Sequence, residues 1–402
     1  MRERLPRAGA EKLVCGEAAF YRRAMRLWPA LMLLIGATAA RANSIREEAV
    51  VSTVQATAAN PRSGSFTDSL SGTVDLSSAW TLNLGGSLTL QGRTPALDRG
   101  QFPESGSMVT LFTGGADWNA SESLTLGGDL HLSPRSTQYA GTSVTLRQAN
   151  GTETTADALV RSQTSQTGGS LSVTYDPAGD SALEWSYGAS VEYSHYDVDQ
   201  NIPRVRLADG TTVTSTTLRQ ETTAYCQAHP DIRNCGQALL SALRATPVSL
   251  DSERLSGNLT ATVLVDTDIT LSGDYYVYQQ DPGQIPFFTL AAAGRTAGVP
   301  IAPLKFEVRP EVVHRFGDFS AKLWVQAGEY VKGTGESTAA AGLKLQYKFT
   351  KAFRSWLAFS GQRDVDQSGE ITRSASVTAG AAYRWLVTTV VHGGNAAHLA
   401  RR

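Results

Sequence analysis

The chain has 402 residues, of which 41% are hydrophobic and 18% are charged, with 37 Gly, four Met and a formal net charge of −1. This composition excludes a disordered chain and is unusual for a soluble enzyme. The one continuous apolar segment, residues 27–40, is too short to cross a bilayer as a helix.

This apolar segment has the features of a secretory signal peptide. Met25-Arg26 form a basic region before it, and Ala40-Arg41-Ala42 form an A-x-A cleavage site after it. We therefore expect residues 1–42 to be removed, with Met25 as an alternative start. The remaining chain has 28 basic and 34 acidic residues, and its net charge of −6 argues against nucleic acid as a partner.

After the leader, segments of about ten to thirteen residues alternate apolar and polar side chains, as β-strands do. Short turns are predicted at residues 77–79, 119–122, 176–180, 266–268, 317–318 and 350–352. These six turns account for twelve strands. A strand at about 47–57 and a final strand at 371–385 bring the number to about fourteen.

The connections between these hairpins are long. We expect loops at residues 91–106, 133–166, 197–251 and 281–303, which are rich in Gly, Thr, Ser, Asp and Pro. Aromatic side chains lie instead beside the short turns, where they predict a girdle at the periplasmic interface, and they are Trp80, Trp118, Trp185, Phe316, Phe319, Phe349, Phe353 and Trp385.

The final strand carries Thr378, Gly380, Tyr383 and Trp385 in the order polar-x-Gly-x-x-aromatic-x-aromatic. This pattern resembles the terminal assembly signal of bacterial outer-membrane β-barrels, and the chain as a whole is similar to porin-like barrels of about 14 strands. The resemblance covers nearly all of residues 45–385, but residues 386–402 depart from it, because such barrels normally end at the terminal aromatic residue.

The resemblance implies an all-β fold, a transmembrane antiparallel up-and-down β-barrel with long extracellular loops, located in the bacterial outer membrane. Outer-membrane lipid and the barrel assembly machinery are the implied partners. We accordingly divide the chain into a signal peptide (1–42), a barrel (43–385) and a C-terminal tail (386–402). The competing interpretation is a soluble all-β sandwich, propeller or solenoid.

Alternation also predicts which charges face the lumen of such a barrel. The later strands place a basic wall there, formed by Lys305, Arg309, Arg315, Lys322, Lys344, Lys348, Arg354 and Arg384. The earlier strands place an acidic wall there, formed by Asp75, Asp129, Glu184, Glu192 and Asp274. Opposed walls favour hydrophilic solutes, with a preference for anions, whereas pairing across strands would only stiffen the barrel.

The longest predicted loop contains Cys226 and Cys235, and in an oxidising compartment these two favour a local disulfide. Helix-like stretches at residues 218–228 and 236–244 flank the pair. Such a clamped helical loop would serve either as a constriction of the lumen or as an extracellular lid.

Other chemistry has little support in the sequence. Asp364, Asp366 and Ser368 resemble the start of a calcium loop, but Ala375 stands where the last acidic ligand is expected, so we predict no metal site and no cofactor. Motif searches for hydrolase, metalloprotease and phosphate-binding signatures give no match. Only His131 and His195 lie where a catalytic base is conceivable, and we predict that the chain is not an enzyme.

These observations favour a channel for the passive diffusion of small hydrophilic or anionic solutes. Two alternatives stay open at this point. One is the outer-membrane component of a polysaccharide export machinery with periplasmic partners, and the other is a structural or adhesive barrel that acts through its loops.

Overall fold

The computed structural model describes residues 44–56, 63–93, 107–147, 153–177, 183–207, 209–232, 235–236, 246–263, 266–280, 304–331, 336–365, 369 and 371–386. Nearly all of them are in strands. The elements are β1 (Ser44–Ala56), β2 (Ser63–Asp75), β3 (Trp80–Arg93), β4 (Ser107–Asn119), β5 (Leu124–Arg147), β6 (Glu153–Tyr175), β7 (Leu183–Arg206), β8 (Thr212–Thr214), α1 (Ser215–Ala228), β9 (Thr246–Val263), β10 (Thr267–Tyr278), β11 (Leu304–Phe316), β12 (Phe319–Tyr330), β13 (Ser337–Lys348), β14 (Phe353–Val365) and β15 (Ile371–Leu386).

Fourteen of these strands form one closed antiparallel sheet. Each strand from β1 to β7 and from β9 to β15 pairs with its neighbour along the chain, and the three-residue β8 pairs only with the end of β7. The first and last strands close the ring, in a register that runs from Ser44 opposite Leu386 to Ala56 opposite Ser374. The predicted fold class, up-and-down topology and strand number are therefore confirmed.

Hydrogen bonds between polar side chains identify the inner face of the barrel. Ser52 contacts Thr378 across β1 and β15 with an Oγ to Oγ1 distance of 3.0 Å, and Thr67 contacts Thr89 across β2 and β3 at 3.0 Å. Because successive side chains point to opposite faces, the neighbours of these residues point outward. Val377, next to Thr378, is accordingly 44% exposed.

The outer face carries an apolar band with aromatic residues at its short-turn end. Aromatic rings there contact one another in pairs, with centroids 6.0 Å apart for Trp80 and Trp118 and 4.7 Å apart for Tyr383 and Trp385. An apolar belt bounded by aromatic residues is the surface that a β-barrel presents to lipid. Short turns face the periplasm in outer-membrane barrels, so we call this end the periplasmic end.

Three strands continue well beyond this band at the opposite, outer end. A tilted membrane strand needs about 9 to 11 residues, whereas β5, β6 and β7 have 24, 23 and 24 residues. The predicted loop 133–166 is therefore wrong, since residues 133–147 and 153–166 extend the sheet. The predicted loop 197–251 also contains the end of β7, the beginning of β9, and β8 and α1 between them.

A small apolar core explains why these outer extensions are ordered. Ala156 and Ala158 of β6, Ile202 and Val205 of β7, and Leu218 of α1 bury one another. The two alanines lie on the same face of β6 as the lumen-facing Gln166, because even-numbered positions share a face along this strand. Helix α1 therefore packs on the inner side of the extended wall, near the outer mouth of the barrel.

Local contacts fix this helix in place. The hydroxyl of Thr214 accepts a hydrogen bond from the Thr217 amide at 3.1 Å, which caps the N-terminus. The predicted disulfide between Cys226 and Cys235 is present, with the two Cα atoms 5.5 Å apart. The predicted helical stretch 218–228 lies within α1, whereas most of the stretch 236–244 lies outside the described residues.

The proposed domain boundaries remain predictions. The leader (1–42) and nearly all of the C-terminal tail (386–402) lie outside the described residues, and β15 ends at Leu386. Among the described residues there is no helix long and apolar enough to cross a membrane.

Candidate functional site

The inner wall of the barrel is charged and accessible to water. Between β11 and β12, Glu311 forms ion pairs with Lys322 at 2.6 Å and with Arg309 at 3.7 Å. The three side chains keep 18%, 31% and 35% of their surface exposed, respectively. This part of the predicted basic wall is therefore neutralised in part by pairing across strands, as the stiffening interpretation expects.

Two cations of the basic wall, Arg309 and Lys344, stack on tryptophan rings. The Arg309 guanidinium lies 4.6 Å from the centroid of Trp324, and the Lys344 ammonium lies 4.2 Å from that of Trp356. Each ring in turn faces a glycine on the next strand, Gly342 for Trp324 and Gly380 for Trp356. A Cβ atom at Gly342 would lie 2.5 Å from the Trp324 ring, so both stacks require glycine.

The remaining cations lie toward the two ends of the pore. Lys305 is at the outer end, where its ammonium is 3.4 Å from Glu329, and Arg315 is at the periplasmic end, where it pairs with Asp268. Lys348, Arg354 and Arg384 also lie at the periplasmic end. They line one cavity of about 520 Å³, together with two cations that the sequence analysis missed, Arg46 and Lys351.

This group of five cations, which we call the periplasmic basic cluster, is largely unpaired. Arg46 pairs with Glu48. Among the described residues, the other four side chains have no ion pair and no side-chain hydrogen bond. Arg354 shares this cavity with Arg46 and the other three cations, so like charges repel one another there. An anion that entered the cavity would relieve this repulsion.

The carboxylates of the predicted acidic wall differ in their contacts. Asp75 accepts a hydrogen bond from Thr81 at 2.9 Å, Asp274 accepts one from Ser256, and Asp129 and Glu184 lie on the inner face of β5 and β7. The sequence analysis missed Arg254, which pairs with Glu192. The predicted acidic wall of the earlier strands therefore contains a cation at this position.

Alternation along β9 would have revealed Arg254. Residues 252, 254 and 256 point inward in the same way as their neighbours on β10, but the predicted loop 197–251 obscured where this strand begins. Arg46 was missed for a related reason, because β1 begins at Ser44 rather than near residue 47.

Arg254 and Glu192 line a second cavity of about 330 Å³, recessed into the inner wall between β4 and β10. It lies where the outward apolar band ends, near the outer mouth. Gln166 is part of its lining and donates hydrogen bonds to Ser194 at 3.2 Å and to Tyr196 at 3.3 Å. Three tyrosines, Tyr196, Tyr276 and Tyr278, also contribute to the lining.

The histidines do not form a catalytic arrangement within the described part of the chain. His131 Nε2 is 2.9 Å from the Ser194 hydroxyl, but Ser194 is only 1% exposed and donates its own proton to Glu192 at 3.1 Å. A nucleophile must be reachable by substrate and activated by a base. Ser194 is almost fully covered and already donates its proton to Glu192, so it is not placed to act as a nucleophile.

His195 points to the outside of the barrel beyond the apolar band, because the last apolar position on this face of β7 is Tyr193. Its Nδ1 atom is 2.7 Å from the Asp251 carboxylate, which also accepts a hydrogen bond from Tyr193 at 2.6 Å. The hydrogen bond to Asp251 raises the pKa of His195, and the nearby Asp197 carboxylate acts in the same direction.

The weak calcium candidate gains no support. Asp364 accepts hydrogen bonds from Tyr330 at 2.7 Å and from Gln362 at 2.9 Å on the inner face of β14, whereas Asp366 and Ser368 lie outside the described residues. In the described part of the chain, no group of three or more His, Cys, Asp or Glu side chains is arranged to hold a metal ion.

Comparison with known proteins identifies the fold. No protein-family model and no curated protein sequence matches the chain. Among solved structures, a FadL homologue from Pseudomonas aeruginosa is similar, with 11% identity over 85% of this chain and 90% of its own and a TM-score of 0.51. The CymD monoaromatic hydrocarbon channel has 9% identity over 87% and 90%, with a TM-score of 0.51.

The deltaS2 mutant of the TodX monoaromatic hydrocarbon channel is also similar, with 10% identity over 86% of this chain and 90% of its own and a TM-score of 0.50. At identities this low, the similarity establishes the fold alone. Together with the closed 14-strand sheet, the apolar outer band and the charged lumen, it defines the chain as a β-barrel of the bacterial outer membrane. The predicted resemblance and localisation are thereby confirmed, and the particular family is left open.

Proposed function

We propose that the chain forms a channel for the passive diffusion of small hydrophilic solutes and that this channel prefers anions. The observation that carries the proposal is the periplasmic basic cluster, in which Lys348, Lys351, Arg354 and Arg384 share one cavity without an ion-pair partner among the described residues. Fixed charges of one sign at a pore mouth raise the local concentration of the opposite ion.

We expect this preference to arise at the periplasmic end of the pore. Glu311 partly neutralises Lys322 and Arg309, so their field is weakened locally. In the periplasmic basic cluster, Glu48 pairs with Arg46, and the other four cations have no ion-pair partner among the described residues. Because salt screens charges beyond about 8 Å at physiological ionic strength, ions respond mainly to the nearest groups. The cluster is therefore the expected determinant of charge selectivity.

Two of the similar structures are monoaromatic hydrocarbon channels by name. A hydrocarbon cannot replace the hydrogen bonds that water makes to hydroxyl, amide and charged groups. The inner face of this barrel carries hydroxyl and charged groups on many strands, including Ser52, Thr67 and Lys322. This polarity favours hydrophilic solutes for the present chain.

Ion selectivity in planar bilayers tests the proposal. Replacing Lys348, Arg354 and Arg384 together by Gln should weaken or abolish anion preference while a conducting pore remains. The matched control is Lys305→Gln, which removes one cation that is already paired with Glu329 at the outer end.

Unchanged selectivity in the triple variant would contradict the assignment to the periplasmic basic cluster. A wild-type protein that inserts but does not conduct would contradict the channel itself. That second result would favour the export component, acting with periplasmic partners, or the structural and adhesive barrel.

A further inference from the structure

Like charges stand directly opposite one another within the periplasmic basic cluster. Lys348 of β13 is the register partner of Arg354 of β14, and Arg46 of β1 is the register partner of Arg384 of β15. Side chains directly opposite across two strands have Cβ atoms about 4.5 to 5.5 Å apart, so like charges at such positions repel and destabilise the pairing. The sheet therefore holds two repelling pairs beside one cavity.

The charged groups of these pairs are accessible from the lumen. Arg384 lies on the same face of β15 as Thr378, whose hydroxyl contacts that of Ser52 inside the barrel. Lys348 and Arg384 are exposed, and Arg354 is half-buried. A solute in the pore can therefore reach both pairs.

A small side chain leaves space between the two pairs. Ala382 stands opposite Arg354 in the β14–β15 register, and it lines the cavity of about 520 Å³. The Arg384 amide donates a hydrogen bond to the Ala352 carbonyl at 2.8 Å, which holds the turn that carries Lys351 against β15. Cations from three strands and from this turn thus surround one space.

The cavity lacks a carboxylate that could neutralise both pairs. No Asp or Glu is among the described residues that line it, and Glu48, opposite Ala382 on β1, pairs with Arg46. Five cations against this one carboxylate leave an excess of positive charge. A single anion with two charges would attract both pairs at once, whereas one chloride carries only half of that charge.

The hydrogen-bond donors of the cavity fit an oxyanion. The guanidinium groups of Arg354 and Arg384 present forked N–H donors, which match two oxygens of a phosphate-like group. Thr350 accepts hydrogen bonds from the amides of Ala352 at 3.2 Å and Phe353 at 2.9 Å, so its own hydroxyl proton is available to a ligand. A halide has no second oxygen to use this geometry.

We propose that the periplasmic basic cluster is a binding site for a doubly charged oxyanion of the phosphate or sulfate type, free or carried by a small solute. The inference rests on the proposed function and names the class of anion that binds at the periplasmic mouth. The Lys348–Arg354 pair contacts the anion from one side and the Arg46–Arg384 pair from the other. A lipid phosphodiester has related chemistry but only one charge on its phosphate, so it satisfies the site less well.

Isothermal titration calorimetry of the purified protein in detergent tests this binding without a conducting pore. Sodium sulfate, which is doubly charged at neutral pH, should bind saturably. Sodium dimethyl phosphate, a singly charged analogue of a lipid phosphodiester, should bind at least about tenfold more weakly.

The double variant Lys348→Gln/Arg354→Gln removes one repelling pair and should raise the Kd for sulfate by about tenfold. Lys305→Gln is the control, since it removes a cation at the outer end that is already paired with Glu329, and its Kd for sulfate should equal that of the wild type.

Absence of saturable sulfate binding in the wild type would overturn the inference. Equal affinity for sulfate and dimethyl phosphate, or an equal Kd for sulfate in wild type and double variant, would overturn it as well. Planar-bilayer recordings separate these failures from failure of the proposed function. An anion-preferring pore without sulfate binding contradicts only this inference, and sulfate binding by a protein that does not conduct contradicts only the channel.

Discussion

The indole ring of Trp356 occupies the space beside Gly380 that a side chain at that position would need. The two residues are directly opposite in the β14–β15 register, and the Lys344 ammonium lies 4.2 Å from the centroid of the same ring. The glycine of the terminal sequence pattern therefore has a packing function inside the barrel. Whether the pattern also acts as an assembly signal stays a prediction.

Gly380→Ala should destabilise the barrel by about 1 to 3 kcal/mol, because the new methyl group must displace Trp356 or shift the backbone. The measurement is the midpoint of heat-induced unfolding, followed by the change in migration on a denaturing gel. Gly361→Ala is the matched control, since a Cβ there meets only the Ser374 carbonyl oxygen at 3.9 Å. Equal midpoints for the two variants would contradict this packing argument.

Glu311→Gln should strengthen anion preference. The combined replacement of Lys348, Arg354 and Arg384 by Gln should weaken it. Removing this carboxylate leaves Lys322 without its 2.6 Å partner and raises the net positive charge of the later half of the wall. The permeability ratio of chloride to potassium should rise by about twofold. A ratio that falls would show that the pairing does not mask charge from passing ions.

Replacing Cys226 and Cys235 together by Ser should loosen α1 without opening the barrel. The disulfide closes a short segment at the end of this helix, while the fourteen strands are paired independently of it. Amide hydrogen exchange should therefore accelerate in residues 215–228 and stay slow in β12 to β14. Faster exchange throughout the sheet would contradict local anchoring.

The pKa of His195 should lie above the ordinary histidine value because Asp251 stabilises the protonated form. Its contribution to stability is fully present below the unfolded-state pKa and is lost as the pH rises through the higher folded-state value. In Asp251→Asn the pKa of His195, followed by NMR of the ring protons, should fall toward the ordinary value. An unchanged pKa would show that the hydrogen bond is not formed in solution.

The sequence predicted the barrel well because strand alternation and short turns are local signals. Each short turn brings two strands together, so the order of strands followed from the order of turns, and β1 had only β15 left to pair with. The extensions of β5 to β7 were assigned to loops because these parts of the chain are rich in Gly, Thr, Ser and Asp. Their order depends on contacts between distant residues, such as Ala158 with Val205, which alternation does not reveal.

The residues of the inner wall were predictable in part, because strand alternation is a local signal. Alternation placed Arg309, Lys322 and Lys344 on the inner face, but it could not show that Glu311 pairs with Lys322 or that Trp356 lies beside Lys344. Those contacts depend on the register between strands. The cavity at Gln166 is built by six strands and has no local signature in the sequence.

The most direct test of the account is the reversal potential of the wild-type channel in a tenfold gradient of potassium chloride. An anion-preferring pore should reverse near the equilibrium potential of chloride, because Lys348, Arg354 and Arg384 line its periplasmic mouth. Reversal near the equilibrium potential of potassium, in a channel that conducts stably, would contradict the central claim.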